Sequence, residues 1–115
     1  MLAMAVLPNA HQAIVPVEKL RDYSLNAAHP RGRNKARVFA ATLDLRQDGA
    51  EWLARVIREE VVKCPARELS DEGFGSRFEV DMVVRQEGRS ARVRTGWIIR
   101  AGEILPRLTT CFVLV

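Results

Sequence analysis

The hydrophobic periodicity of the chain changes near residue 75, and no other feature of the sequence constrains the fold as strongly. Before this point, apolar residues recur at the i, i+3, i+4, i+7 spacing of a helix, as at Ala36, Phe39, Ala40 and Leu43. After it, apolar and charged residues alternate, which is typical of half-buried strands. The apolar members of the first alternating run are Phe78, Val80, Met82 and Val84. A helical half followed by a strand half predicts an α+β fold.

The first half is predicted to contain about three helices. The first extends over about residues 16–25, and the second covers about residues 33–43. The third begins near Asp48, a residue type suited to the N-cap, and Glu51 three positions later completes a capping-box pattern. Its apolar stripe ends at Pro65.

The second half is predicted to form an antiparallel meander of three to four strands. A polar loop over residues 68–75 precedes the first alternating strand, and residues 86–89 make a short hairpin with Gly88 at a positive-φ position. A second strand extends to Arg100, and a third follows over residues 108–114. The helices are expected to pack on one face of this sheet.

The length of 115 residues predicts a single domain over 1–115, in which residues 1–12 form an extended or poorly ordered lead. No stretch approaches the roughly 20 apolar residues of a membrane helix, so no membrane association is expected. Two cysteines give neither a disulfide framework nor a metal-ligand cluster. We therefore expect no metal, no cofactor and a reducing cytoplasmic setting.

The net charge of +4 is unevenly distributed along the chain. An acidic segment over residues 44–72 separates two basic ones. Residues 29–37 and residues 88–102 contain no acidic side chain, and their cations suit an anionic partner such as RNA. The basic residues are 15 arginines and only three lysines, a bias that codon usage also explains. Codon usage does not explain why they cluster.

Alternation places three arginines of the second basic segment, Arg92, Arg94 and Arg100, on one face of a strand. This face is interpreted either as a phosphate-binding surface or as a solvated outer face. In the second case Glu79 and Asp81 on the neighbouring strand partly neutralise it.

Several side chains are candidates for chemistry. His29 lies in a loop beside Arg31, Arg33, Lys35 and Arg37, where it either exchanges protons near neutral pH or only caps a turn. Lys35 begins the second helix, an unfavourable place for a cation.

The strands contribute further candidates. Trp97 shares its parity with Thr95 and is either a core residue or a platform for a base. Thr109 and Thr110 are predicted to face opposite sides of their strand, so that one of them offers its hydroxyl to the arginine side.

One pattern begins with Lys19-Leu-Arg-Asp-Tyr23 and Leu25-Asn26 and continues with His29-Pro-Arg-Gly32-Arg-Asn-Lys35-Ala-Arg-Val-Phe39. It resembles the signature of an uncharacterised bacterial domain family, together with the later runs Ala91-Arg-Val-Arg-Thr95-Gly-Trp97-Ile-Ile and Pro106-Arg-Leu-Thr-Thr110. The resemblance covers about residues 15–115. The pattern is also similar to toxin domains of the barnase, colicin and RelE-like superfamily of metal-independent ribonucleases.

The resemblance implies a small endoribonuclease-like toxin that acts on RNA and pairs with an antitoxin encoded next to it. In this reading, His29 moves the proton, Lys35 and Arg94 bind the scissile phosphate, and Thr95 or Thr109 holds it through a hydroxyl. The remaining nucleic-acid contacts are expected from Arg31, Arg33, Arg37, Arg92, Trp97 and Arg100. The alternatives are a nucleic-acid-binding module without catalysis and a protein-interaction module.

Overall fold

The N-terminal half forms three helices, as the apolar spacing predicts. The computed structural model describes residues 5–69, 71 and 73–115. Helix α1 spans Val17–Lys19 and continues as a π-helical turn over Leu20–Ser24. Helix α2 spans Arg33–Leu43 and helix α3 spans Ala50–Val61. Short 3-10 turns at Ala10–Gln12 and Gln47–Gly49 precede α1 and α3.

The π-helical turn makes the first helix wider than the predicted α-helix. The backbone amide of Leu25 donates to the carbonyl of Leu20, five residues back, at 2.8 Å. Such π-helical turns are rare in proteins, and those that occur are often found at functional sites. It carries Asp22 and Tyr23, both of which contribute to the cleft described below.

The predicted capping box of α3 is wrong. Asp48 lies within the 3-10 turn, and the residue at the N-cap is Gly49, which has no side chain to bond the helix. The 3-10 turn itself precedes the helix, with the Gly49 amide donating to the Arg46 carbonyl at 2.9 Å. The helix ends at Val61, and the chain reaches Pro65 through a turn.

The C-terminal half forms an antiparallel sheet of four strands in the order β1-β2-β3-β4. The strands are β1 (Ala66–Glu68), β2 (Gly75–Gln86), β3 (Arg89–Arg100) and β4 (Arg107–Val113). Strand β1 includes Glu68, which was predicted to be loop; two residues of that predicted loop, Ser70 and Glu72, lie outside the described residues.

Alternation along β2 and β3 divides the sheet into a buried face and an outer face. The core includes Phe78, Val80, Met82 and Val84 of β2, together with Val93 and Trp97 of β3. The same core contains the apolar stripes of α2 and α3, so the helices cover this face. The fold is therefore α+β, as predicted.

The N-terminal lead contributes to the core. Leu7 is 1% exposed, and Val6 forms an isolated bridge with Pro65 next to strand β1. The sequence pattern did not indicate this role, because the apolar run of residues 1–7 has no alternation or helical spacing and is interrupted at Pro8 and Asn9. The first four residues of the predicted lead lie outside the described residues.

Candidate functional site

A cleft of about 580 Å³ lies between the first helix, the loop before α2 and strand β4. It brings together residues that are far apart in sequence. The first helix and its entry supply one wall, and the other walls come from the loop and the strand. The lining residues are Pro16, Glu18, Lys19, Asp22, Tyr23, His29, Thr109 and Thr110.

Backbone amides hold the His29 ring in the loop just before the N-terminus of α2. The amides of Arg31 and Gly32 donate to its Nδ1 at 3.0 and 3.1 Å. Because Nδ1 accepts both hydrogen bonds, we infer that the neutral ring carries its proton on Nε2. His29 thus caps the turn, as one of the two sequence interpretations predicts, and presents an N–H donor at Nε2.

Tyr23 fixes the other side of the His29 ring. The two ring centroids are 4.6 Å apart in a tilted arrangement. Gly32 permits this packing, since a Cβ at that position would lie 2.2 Å from the Tyr23 carbonyl oxygen. Any side chain at residue 32 would therefore displace the segment that carries Tyr23.

Lys35 projects from the first turn of α2 toward strand β4. Its Nζ donates to Oγ1 of Thr110 at 3.4 Å, and it lies 5.8 Å from the Tyr23 ring centroid and 5.1 Å from that of Phe112. Among the described residues, no carboxylate oxygen lies within 4.0 Å of this ammonium. The aromatic faces and the hydroxyl orient the charge without neutralising it.

A β-bulge explains why Thr109 and Thr110 both line the cleft. Leu108 pairs with Trp97 and Thr110 pairs with Gly96, so Thr109 is an extra residue on β4. The prediction that the two threonines face opposite sides assumed regular pairing and is wrong, because a bulge redirects side chains. Gly96 makes room for them: a Cβ there would lie 2.6 Å from Cγ2 of Thr110.

On the outer face of the sheet, carboxylates neutralise arginines of the same face. Arg94 donates two hydrogen bonds to the carboxylate of Asp81, at 2.9 and 3.0 Å, and Arg92 lies 3.6 Å from the same carboxylate. These hydrogen bonds raise the pKa of Arg94 and lower the pKa of Asp81. Arg67 pairs with Glu79 beside them. This is the arrangement expected for a solvated outer face rather than for a phosphate-binding surface.

Thr95 and Trp97 lie in the core and not in the cleft. Thr95 is 0% exposed and Trp97 is 1% exposed. The Thr95 hydroxyl donates to the Val80 carbonyl at 2.7 Å and accepts from Nε1 of Trp97 at 2.8 Å. The hydrogen-bonding groups of both buried side chains therefore have partners. Trp97 is a core residue, which is one of the two interpretations that the sequence allowed.

The remaining predicted nucleic-acid contacts are dispersed. Arg31, in the loop before α2, and Arg33 and Arg37, on α2, are exposed. They are close in sequence to His29, which lines the cleft, and to Lys35, which contacts the lining residue Thr110. Arg100 is exposed at the far end of β3. The structure thus brings His29, Lys35 and the two threonines together, and it places the other predicted residues elsewhere.

Sequence reasoning missed Tyr23, Phe112, Gly96 and the two carboxylates of the cleft. Tyr23 is part of the family-like signature and lies six residues before His29, but the sequence analysis assigned it no role. Phe112 was assigned only to strand alternation. Gly96 could have been noticed as the one glycine within the β3 pattern, because glycine in a strand often marks a bulge or a close approach.

In the residues that the structure describes, no group of three histidine, cysteine, aspartate or glutamate side chains is arranged to hold a metal ion. None of the helices in the described chain is long and apolar enough to cross a membrane.

Fold and site together define a small α+β domain with a cleft at the edge of its sheet, lined by the Tyr23 and His29 rings, by charged side chains of both signs and by two threonines that lie beside the Lys35 ammonium. The family model described as Domain of unknown function (DUF6883) matches residues 6–115, so the chain belongs to that family. No curated protein and no solved structure is significantly similar to the chain.

Proposed function

We propose that the cleft binds the phosphate backbone of RNA and that the protein is an endoribonuclease-like toxin that acts without a metal ion. The observation that carries this proposal is the position of Lys35. Its ammonium lies against a threonine hydroxyl and two aromatic rings, with no carboxylate partner within 4.0 Å in the described chain. An ammonium oriented in this way is suited to a phosphate.

The other groups of the cleft complete a phosphate site. The hydroxyls of Thr109 and Thr110 can donate to non-bridging oxygens, and Nε2 of His29 offers a third donor. The Tyr23 ring supplies a face on which a base or ribose can stack. Arg31 and Arg33 extend positive charge from the cleft along the loop and the first turn of α2.

RNA carries its own nucleophile, so the protein needs only to position and stabilise. The 2′-oxygen loses its proton and attacks the phosphorus, the bond from phosphorus to the 5′-oxygen breaks, and the leaving 5′-oxygen takes a proton from water. The products are a 2′,3′-cyclic phosphate and a 5′-hydroxyl. Negative charge grows on the non-bridging oxygens, where Lys35 and the neutral His29 N–H would stabilise it. This assigns His29 the role of a hydrogen-bond donor, since its Nδ1 lone pair is already engaged by two amides.

The proton released by the 2′-hydroxyl needs an acceptor. Two carboxylates line the cleft, Glu18 and Asp22. Asp22 is paired with Arg21 at 3.0 Å, whereas Glu18 takes part in no ion pair with a described residue. We therefore assign Glu18 as the proton acceptor in this proposal.

The test is cleavage of a single-stranded RNA in the presence of EDTA. The wild type should cleave, and Lys35→Met, which keeps the aliphatic stem and removes the charge, should lower the rate by about 100-fold or more, the usual effect of removing one transition-state donor. Lys63→Ala is the matched control, because Lys63 pairs with Glu60 at 2.9 Å and lies outside the cleft. An inert wild type, or equal rates for the two lysine variants, would overturn the proposal.

The variant His29→Asn distinguishes the structural role of Nδ1, which accepts the two amides, from the proposed catalytic role of Nε2 as a donor. An asparagine oxygen can accept the amides of residues 31 and 32 as Nδ1 does, but the shorter side chain lacks the Nε2 donor. The variant should keep wild-type stability and lose about 100-fold in rate. His29→Ala should lose both.

The occupied Nδ1 of His29 also favours a second candidate, an RNA-binding module without catalysis. It shares the cleft and predicts salt-dependent RNA affinity with no products. Replacing Lys35 would then reduce the slope of log K against log salt by about one. Binding without cleavage identifies this candidate.

A toxin of this kind needs a neutralising partner, and a small acidic protein encoded next to it is the expected one. Its carboxylates would compete for Lys35 and the exposed arginines of α2. The purified complex should not cleave RNA. Full cleavage by the complex would exclude neutralisation at this cleft.

A further inference from the structure

A second cavity, of about 250 Å³, adjoins the cleft on the other side of the β4 bulge. Thr109 and Thr110 line both cavities. This is possible because the bulge makes Thr109 an extra residue and because Gly96 has no side chain to fill the space opposite. A polymer whose phosphate binds at the threonines therefore reaches a pocket on each side of the strand.

The second cavity has the chemistry of a nucleobase site. Leu69, which is 37% exposed, and Gly96 contribute apolar surface to its lining, whereas the side chains of Phe78 and Trp97, which also border it, are buried in the core. Two side chains of opposite character, Arg77 and Glu79, line it and lie two residues apart on one face of β2. A flat heterocycle with donors and acceptors on its edge fits such a pocket.

Both polar side chains retain hydrogen-bonding capacity. Arg77 is exposed and forms no ion pair with a described residue. Glu79 is bound through Oε1 by Arg67, and its Oε2 accepts no hydrogen bond from the described part of the chain. The site thus offers a guanidinium donor beside a carboxylate acceptor.

We propose that this second cavity binds the base of the nucleotide adjoining the cleaved phosphate and that Arg77 and Glu79 select guanine. The O6 and N7 atoms of guanine accept hydrogen bonds from an arginine, and its N2 amino group donates to a carboxylate. The single-stranded substrate exposes these edges. This inference rests on the proposed function, since the threonine-bound phosphate sets the position of the base.

The first test is the sequence profile of cleavage sites on a random RNA pool. The wild type should show guanine enriched next to the cut, and Arg77→Gln should reduce that enrichment about tenfold while cleavage continues. Arg85→Gln is the matched control, because Arg85 is an exposed arginine on the same face of β2 outside the cavity. A profile without guanine enrichment, or one unchanged by Arg77→Gln, would overturn the inference and leave the proposed function intact.

The second test does not depend on cleavage. DNA tetranucleotides that contain one dG or one dA cannot be cleaved, and their affinities report base selection alone. The wild type should bind the dG probe about tenfold more tightly than the dA probe, and Glu79→Gln should reduce this preference because it removes the carboxylate that accepts from N2. Arg67→Gln breaks the same ion pair from its other end and should keep the dG preference. Equal affinities in the wild type would overturn the proposal, and loss of preference in Arg67→Gln would assign the effect to the ion pair.

Discussion

The bulge in β4 makes a quantitative prediction about Gly96. An added Cβ would lie 2.6 Å from Cγ2 of Thr110 and 3.2 Å from Oγ1 of Thr109. The first distance is shorter than any van der Waals contact, so Gly96→Ala must displace the Thr110 methyl group or move β3 and β4 apart. Overpacking of this kind costs about 1–3 kcal/mol.

The methyl group can be removed without removing the hydroxyl. Thr110→Ser deletes Cγ2 and keeps the Oγ1 that accepts from Lys35, at a cost of less than about 1 kcal/mol for a half-buried methyl. In the Thr110→Ser background, Gly96→Ala should therefore cost at least about 1 kcal/mol less than it does in the wild type.

Urea unfolding followed by tryptophan fluorescence measures all four members of this cycle, because Trp97 is 1% exposed and becomes solvated on unfolding. Thr109→Ser is the matched control: it keeps the Oγ1 that approaches residue 96 and should not rescue Gly96→Ala. An equal cost of Gly96→Ala in the wild-type and Thr110→Ser backgrounds would refute the described geometry of the bulge.

Three further predictions follow from buried or paired groups. Thr95→Val should lower the free energy of unfolding by about 1–3 kcal/mol, because it leaves Nε1 of Trp97 without its acceptor. Thr95→Ser keeps the hydroxyl and should lose much less. A Thr95→Val variant as stable as the wild type in urea unfolding would contradict this prediction. The hydrogen bonds from Arg94 lower the pKa of Asp81 in the folded state. The wild type should therefore be more stable than Asp81→Asn above the ordinary pKa of 3.8, and this difference should disappear as the pH falls through the lower pKa of the folded state. An advantage that does not change with acidification would exclude this linkage. Burial raises the pKa of Cys111 to about 12, so a thiol reagent at pH 8 should modify Cys64 in the native protein and reach Cys111 only after unfolding. Two equally fast thiols would show that Cys111 is accessible.

The sequence determines the regular elements well, because each is set by its own periodicity. The predicted limits of α2 match Arg33–Leu43, and the alternation in β2 and β3 correctly separates the core face from the charged face. Alternation also placed Arg94 on the same face as Asp81, although the two-hydrogen-bond pairing depends on the cross-strand register that sets them opposite each other.

The cleft was only partly predictable, because it depends on departures from regularity. Alternation separates Thr109 from Thr110, whereas the bulge puts both into one cleft. The sequence predicted a regular first helix, whereas the structure has a π-helical turn that contains Tyr23, whose ring packs on that of His29. Each departure arises from tertiary packing, such as the close approach allowed by Gly96, and leaves no periodic signal in the chain.

The most direct test of the central claim is an NMR titration with a single-stranded oligonucleotide whose 2′-hydroxyls are replaced by hydrogen, so that it binds without being cleaved. The largest shift changes should come from the cleft residues Tyr23, His29 and Thr110 and from Lys35 beside them, and they should vanish in Lys35→Met. Changes concentrated instead around Arg92 on the outer face of the sheet, and unaffected by Lys35→Met, would contradict it.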